Sequence, residues 1–138
     1  MAGWAQRLWA HDVASRALGM ELLIAGEGFS TVRMLVRGDM VQGHGTAHGG
    51  ILFALADTAF AFCCNGPDQV VVGASADITW IAGARAGDVL VAQGEQRSRY
   101  GRSGVSRVQV ERQADGLLIA LFQGRSRDVT GGTRPGRT

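Results

Sequence analysis

The sequence predicts an α+β domain in which one antiparallel sheet curls around a single long central helix. Two observations carry this. The stretch His48 to Asn65, HGGILFALADTAFAFCCN, is apolar on every side except at Asp57 and Thr58. A helix apolar around its whole circumference is buried all round rather than laid on a surface. After it, four runs of strand character follow one another across short turns. Consecutive strands joined this way argue an antiparallel sheet, and the one apolar helix packs on its concave face. A chain of 138 residues, 46% apolar and 19% charged, fits one globular domain with its own core.

In chain order, residues 4–17 place Trp4, Leu8, Val13 and Leu18 near helical spacing, which predicts one short amphipathic N-terminal helix carrying His11. Met20 to Ala25 and Phe29 to Val36 flank Gly26-Glu27-Gly28 and read as a hairpin. The glycine-rich segment MVQGHGTAHGG then leads into the central helix. Gly49 and Gly50 sit where that helix begins, and Asn65-Gly66-Pro67 ends it with an Asn–Gly signal followed by a residue that cannot continue. Roughly 16 helical residues with an acid mid-way exclude a membrane span. The strand runs are Val70–Trp80, Asp88–Gly101, Ser103–Arg112 and Leu117–Arg127, with turns at Gly83–Gly87 and Ala114-Asp115-Gly116. Residues 1–130 form the single domain. Gly131 to Thr138 is a polar tail with nothing to bury, expected to be disordered. A sheet strongly curled around one helix is the hot-dog architecture. Its edges and open face need cover, so self-association is expected.

Composition narrows the functional classes. A net charge of +2 is too small to argue for nucleic acid. All basic residues are arginines, which reads as base composition of the genome before it reads as phosphate binding. Cys63 and Cys64 are adjacent in the helix and point in different directions, so they read as apolar filler, not a disulfide. The N-terminus lacks the ordered parts of a signal peptide, and the expected compartment is the cytoplasm.

The chemistry available follows from the helix. Its N-terminus presents free N–H groups and a positive partial charge, so Gly49 and Gly50 can hold a developing oxyanion. Close packing explains paired glycines equally well, and a lone buried Asp is often a hydrogen-bonded core residue. Asp57 follows Gly49 by roughly 12 Å of helix rise. If both act on one carbonyl, they come from two antiparallel copies of the helix, and a two-fold dimer supplies two such sites. Asp57 then either activates water or attacks the carbonyl directly. His44 and His48 have a metal-ligand spacing, but a glycine loop separates them and no third ligand stands nearby. His48 is read as orienting the loop or bonding near the reacting group. No G-x-S-x-G stretch offers a competing serine nucleophile. Arg97, Arg99, Arg102 and Arg107 cluster on one predicted hairpin, either as a solvated face or as contacts to a phosphorylated ligand. Phe53, Phe60 and Phe62 belong to the core or to an aryl pocket.

The segment HGTAHGG–ILFALADTAFAFCCN closely resembles the PaaI-type, phenylacetate-pathway thioesterases of the hot-dog superfamily. Ala17-Leu18-Gly19, Glu27-Gly28-Phe29, Ala82-Gly83, Gly87-Asp88, Ala120-Leu121-Phe122 and Gly124 extend the likeness over nearly the whole chain apart from the tail. The resemblance implies hydrolysis of acyl-CoA thioesters, with aryl-acetyl groups as the favoured substrates and no cofactor beyond the CoA of the substrate. It puts the catalytic acid on Asp57, the polarising N–H on Gly49 and a placing side chain on Gln42. The family usually has Asn at that last position. Gly50, Thr58, Phe53, Arg97 and Arg99 are the further candidates for substrate contact, with His48 beside the catalytic group. A homodimer with shared sites is expected, pairing into a dimer of dimers, with neither nucleic acid nor membrane as partner. Two other classes stand beside this one. A hot-dog dehydratase would need a His on the helix beyond its start, and a non-catalytic acyl-CoA sensor would need room for a DNA-binding segment.

Overall fold

The computed structural model describes residues 1–130, and the tail expected to be disordered lies outside them. Instead of one N-terminal helix there are two, α1 (Gly3–His11) and α2 (Val13–Ala17). The break falls at Asp12, whose backbone leaves helical geometry at φ −84° and ψ 81°. Its carboxylate accepts the Ser15 N–H at 3.0 Å, the capping bond that starts a new helix. Periodicity carries on across such a break, which is why apolar spacing alone joins the two.

The hairpin follows as β1 (Glu21–Gly26) and β2 (Phe29–Leu35), turning through Gly28 at φ 91°. One 3-10 turn at Gly38–Met40 and an isolated bridge between Val41 and Ala47 shape the glycine-rich loop. Then come α3 (Gly49–Cys64), β3 (Val71–Trp80), β4 (Val89–Tyr100), β5 (Ser103–Arg112) and β6 (Leu118–Asp128). The six strands form one antiparallel sheet in the order β1-β2-β4-β5-β6-β3. Leu118–Asp128 therefore lies between β5 and β3, and β3 is left on an edge.

The end of α3 departs from the Asn–Gly signal. Asn65 is extended, with φ −95° and ψ 170°, and acts through its side chain instead of a left-handed turn. Its Nδ2 donates to the carbonyls of Ala61 and Val71, each at 2.9 Å, and its Oδ1 accepts the Val71 N–H at 2.9 Å. The same side chain thus closes the helix and fixes the start of β3.

The core lies between α3 and the concave face of the sheet. Leu55, Phe60, Phe62 and Cys63 are buried against Met34, Leu90, Val108 and Phe122. Each large side chain so buried contributes about 1.5–3 kcal/mol. Cys63 and Cys64 are free and buried, as read from the sequence, and burial pushes their thiols up to about 11 and about 12. Neither forms thiolate at neutral pH, so neither offers a nucleophile.

The helix sits close to the sheet because glycine lies beneath it. A Cβ on Gly94 would come within 2.8 Å of the Ala59 carbonyl oxygen and of Ser30 Oγ. Ser30 Oγ itself donates to that carbonyl at 2.6 Å. Gly94→Ala must therefore lift the helix, and overpacking of this kind costs about 1–3 kcal/mol. Urea unfolding should show a lower midpoint with an unchanged slope; an unchanged midpoint would mean that the helix is free to shift.

Burial all round fails along one line of α3. Gly50, Ala54, Asp57 and Ala61 recur on one face, with Gly50 and Asp57 exposed and the two alanines half-buried. Residues Gly73 to Asp77 of β3 are exposed as well, on both sides of the strand. Among the described residues no helix is long and apolar enough to cross a membrane.

Candidate active site at the start of the central helix

The loop before α3 is held by its own polar groups. Gln42 Nε2 donates to Thr46 Oγ1 at 2.6 Å, and Gln42 Oε1 accepts the His44 N–H at 2.6 Å. The Gln42 and His48 backbone N–H groups donate to the carbonyls of Thr46 and Met40, at 2.8 and 2.7 Å. This fixes where the helix begins. His48 is its N-cap, and His48 Nδ1 accepts the Gly50 N–H at 2.9 Å. An accepting Nδ1 leaves the ring proton of this exposed side chain on Nε2.

The two glycines thereby separate. The Gly50 N–H is taken by His48, so Gly50 is no free oxyanion donor in this arrangement. The Gly49 N–H has no hydrogen-bond partner among the described residues. It is the one orphan donor of the helix start that a ligand can reach. Its surroundings form a cavity of about 300 Å³ whose wall includes Gln42, Thr46, Leu52, Trp80 and Ile81.

Trp80 is a component that the sequence reading passed over. It ends β3, and its Nε1 donates to the Gly49 carbonyl oxygen at 3.2 Å. A Cβ on Gly49 would lie 3.2 Å from three indole atoms. The only signal in the sequence is a tryptophan closing a strand run, and that gives no hint that the strand ends beside the helix start.

Asp57 is absent from the cavity wall. It stands two turns further along α3, on the uncovered face. Partial loss of hydration, and then the nearby Asp12 carboxylate, raise it above the ordinary carboxylate range. Thr58, beside it, is turned inward. Its hydroxyl donates to the Ala54 carbonyl at 2.8 Å and lies 2.9 Å from Ser15 Oγ, which donates to Asp12 at 2.8 Å. Thr58 therefore anchors α2 on the central helix and does not line the cavity. Phe53 is half-buried and packs edge-on to Phe122 at 5.3 Å between ring centres, as a core ring would.

Arg97 and Arg99 lie at the other end of the sheet, where α3 finishes. Arg97 pairs with Glu95 at 2.8 Å, and Arg99 pairs with Asp128 at 2.9 Å beside the start of β3. Within one chain neither approaches Gly49. Among the described residues no group of three or more His, Cys, Asp or Glu side chains is placed to hold a metal ion. One chain thus assembles Gln42, His48, Gly49 and Trp80, and leaves the carboxylate outside.

The Thioesterase superfamily model matches residues 44–119, the stretch from this loop through the start of β6. The chain is 36% identical over 132 residues to the acyl-coenzyme A thioesterase PaaI of Escherichia coli strain K12, covering 96% of this chain and 93% of that one. The solved structure of the E. coli PaaI protein from the phenylacetic acid degradation operon superposes with a TM-score of 0.88 at 36% identity, over 94% of this chain and 92% of that one. A point variant of the phenylacetic acid degradation protein PaaI from Thermus thermophilus gives a TM-score of 0.78 at 36% identity, over 84% and 98% of the two chains. The sheet curled around one helix is the hot-dog fold that the sequence predicts.

Proposed function

The chain belongs to the Thioesterase superfamily and is a thioester hydrolase, and from that premise we propose that it cleaves acyl-CoA thioesters of the aryl-acetyl class to the free acid and CoA. The observation that carries the reading is the unpartnered Gly49 N–H at the start of α3, beside Gln42 in an open cavity. A thioester carbonyl seated on that N–H gains most as its oxygen becomes negative. Asp57 acts as general base. It takes a proton from water as the new C–O bond forms, and the proton passes to the sulfur as the C–S bond breaks. A carboxylate raised above its ordinary range is a better proton acceptor, which supports this role.

Each site draws on two chains. Gly49 and Asp57 are separated by about 12 Å of helix, too far for one short side chain to span. The uncovered face of α3 carries Asp57, and the open edge of β3 lies beside it. A second copy laid antiparallel would cover both and bring its own Asp57 to this Gly49. Dimers of this kind then pair into tetramers in the cytoplasm. Gln42 holds the loop and meets the carbonyl or the water, and His48 fixes the helix start. Arg97 and Arg99 would meet CoA phosphates only from the partner side, since they lie at the far end of their own chain.

A thiol-release assay over phenylacetyl-CoA, its ring-hydroxylated derivatives and straight-chain acyl-CoA esters tests the reading. Release of CoA fastest from the aryl-acetyl esters is the expected result. A chain that released no thiol from any of them would refute it.

A further inference from the structure

We propose that Trp80 is a specificity-determining residue, its indole forming the wall against which a flat aromatic acyl group lies once the thioester is seated on Gly49. This rests on the thioesterase reading and adds to it which side chain selects the acyl group. Trp80 is 54% exposed and the next residue, Ile81, 50%. A large apolar ring that one chain leaves half uncovered at the end of a strand is informative in a way that an exposed leucine is not. The ring is also fixed in place. Its Nε1 is tied to the Gly49 carbonyl oxygen at 3.2 Å, and the missing side chain of Gly49 admits the ring edge.

Position decides what it can do. The indole borders the same cavity as Gln42, Leu52 and Ile81, with the free Gly49 N–H at its edge. Side chains alternate along β3, and Ile78 pairs across the sheet with the core residue Phe122. Trp80 therefore faces the helix side, where it meets Gly49. A carbonyl held by Gly49 leaves an aryl ring one methylene away from the reacting carbon, able to lie against the indole, and aromatic pairs attract at ring separations of ~4.5–7 Å. A straight alkyl chain fills the same space without that preference. The hydrogen bond to Gly49 offers a competing role, in which Trp80 only clamps the helix start.

Three variants and two substrates separate these. Trp80→Leu keeps apolar bulk and loses the aromatic face; Trp80→Phe keeps the face and loses the hydrogen bond; Trp80→Ala loses both. With phenylacetyl-CoA, Trp80→Leu should lower kcat/KM about ten-fold through KM, and with hexanoyl-CoA the change should stay within about three-fold. Trp80→Phe should keep the aryl preference, and Trp80→Ala should lose it. Equal losses on both substrates, or a Trp80→Phe variant as unselective as Trp80→Leu, would overturn the proposal in favour of the clamp. The same variants in an Asp57→Asn background give the equilibrium Kd for phenylacetyl-CoA and hexanoyl-CoA without turnover. A Kd weakened there for phenylacetyl-CoA but not for hexanoyl-CoA supports the aromatic wall even if the wild type hydrolyses neither ester, which would refute the thioesterase reading alone. An unchanged Kd in Trp80→Leu overturns the wall while leaving hydrolysis untouched.

Discussion

Asp57→Asn is expected to lower kcat by about two to four powers of ten, the usual scale for a lost general base, while the protein stays folded. The side chain is exposed and on the uncovered face of α3, and it takes part in none of the side-chain hydrogen bonds that hold the helix among the described residues. The change should not lower stability at pH 7. An acid whose folded-state affinity for protons exceeds its unfolded one stabilises the fold at low pH, and that contribution is lost as pH rises from 3.8 through the raised value. Above that window the ionised Asp57 is a burden near Asp12, and the amide removes it. For the same reason wild-type activity should fall on acidification with a midpoint above 3.8. A folded Asp57→Asn protein with near-normal turnover would sink the assignment, and one that melts far below the wild type would make Asp57 structural.

The second large effect is a recovery. Asp57→Asn and Gly49→Pro should each be inactive alone, and should regain activity when unfolded together and refolded as mixed dimers. Proline suits the first position of a helix and removes the N–H in question. The residue before it, His48, already has φ −60° and ψ 133°, the extended geometry that a following proline requires. The ring must displace the Trp80 edge by a few tenths of an ångström, so the melting temperature of this variant is measured alongside. In a mixed dimer one site inherits both defects and the other neither. Random reassortment of equal amounts makes half the dimers mixed, so about a quarter of wild-type activity should return. Sites contained within one chain would stay dead in every combination, and mixed dimers verified by mass with no activity would exclude the shared site.

What local chemistry specifies was legible in the sequence. The apolar run at His48–Asn65 could only be a buried helix, and alternation with intervening turns placed β1 to β6 within a residue or two of where they lie. The free N–H at a helix start follows from helix geometry whatever the surroundings. The 12 Å between Gly49 and Asp57 follows from rise per residue alone, and a site that used both groups on one carbonyl would need a second copy.

Only tertiary structure decided what depends on groups far apart in the chain. Periodicity does not register a side-chain cap, so the division of the N-terminal helix at Asp12 became visible only with the Asp12–Ser15 bond. Spacing could not choose between Gly49 and Gly50. His48 chose, by folding its ring onto the Gly50 N–H. Thr58 reads as a polar residue beside the candidate Asp57, yet a helix rotates about 100° per residue, and that turn carries its hydroxyl inward to Ser15 while Asp57 faces out. Trp80 lies 31 positions beyond Gly49 and reaches it only because β3 runs back along α3. A hydrophobic pattern records which face of an element is covered. It does not record what the far end of that element meets, because the sheet order sets that, and here β6 took the place between β5 and β3 and left β3, with Trp80 at its end, on the open edge.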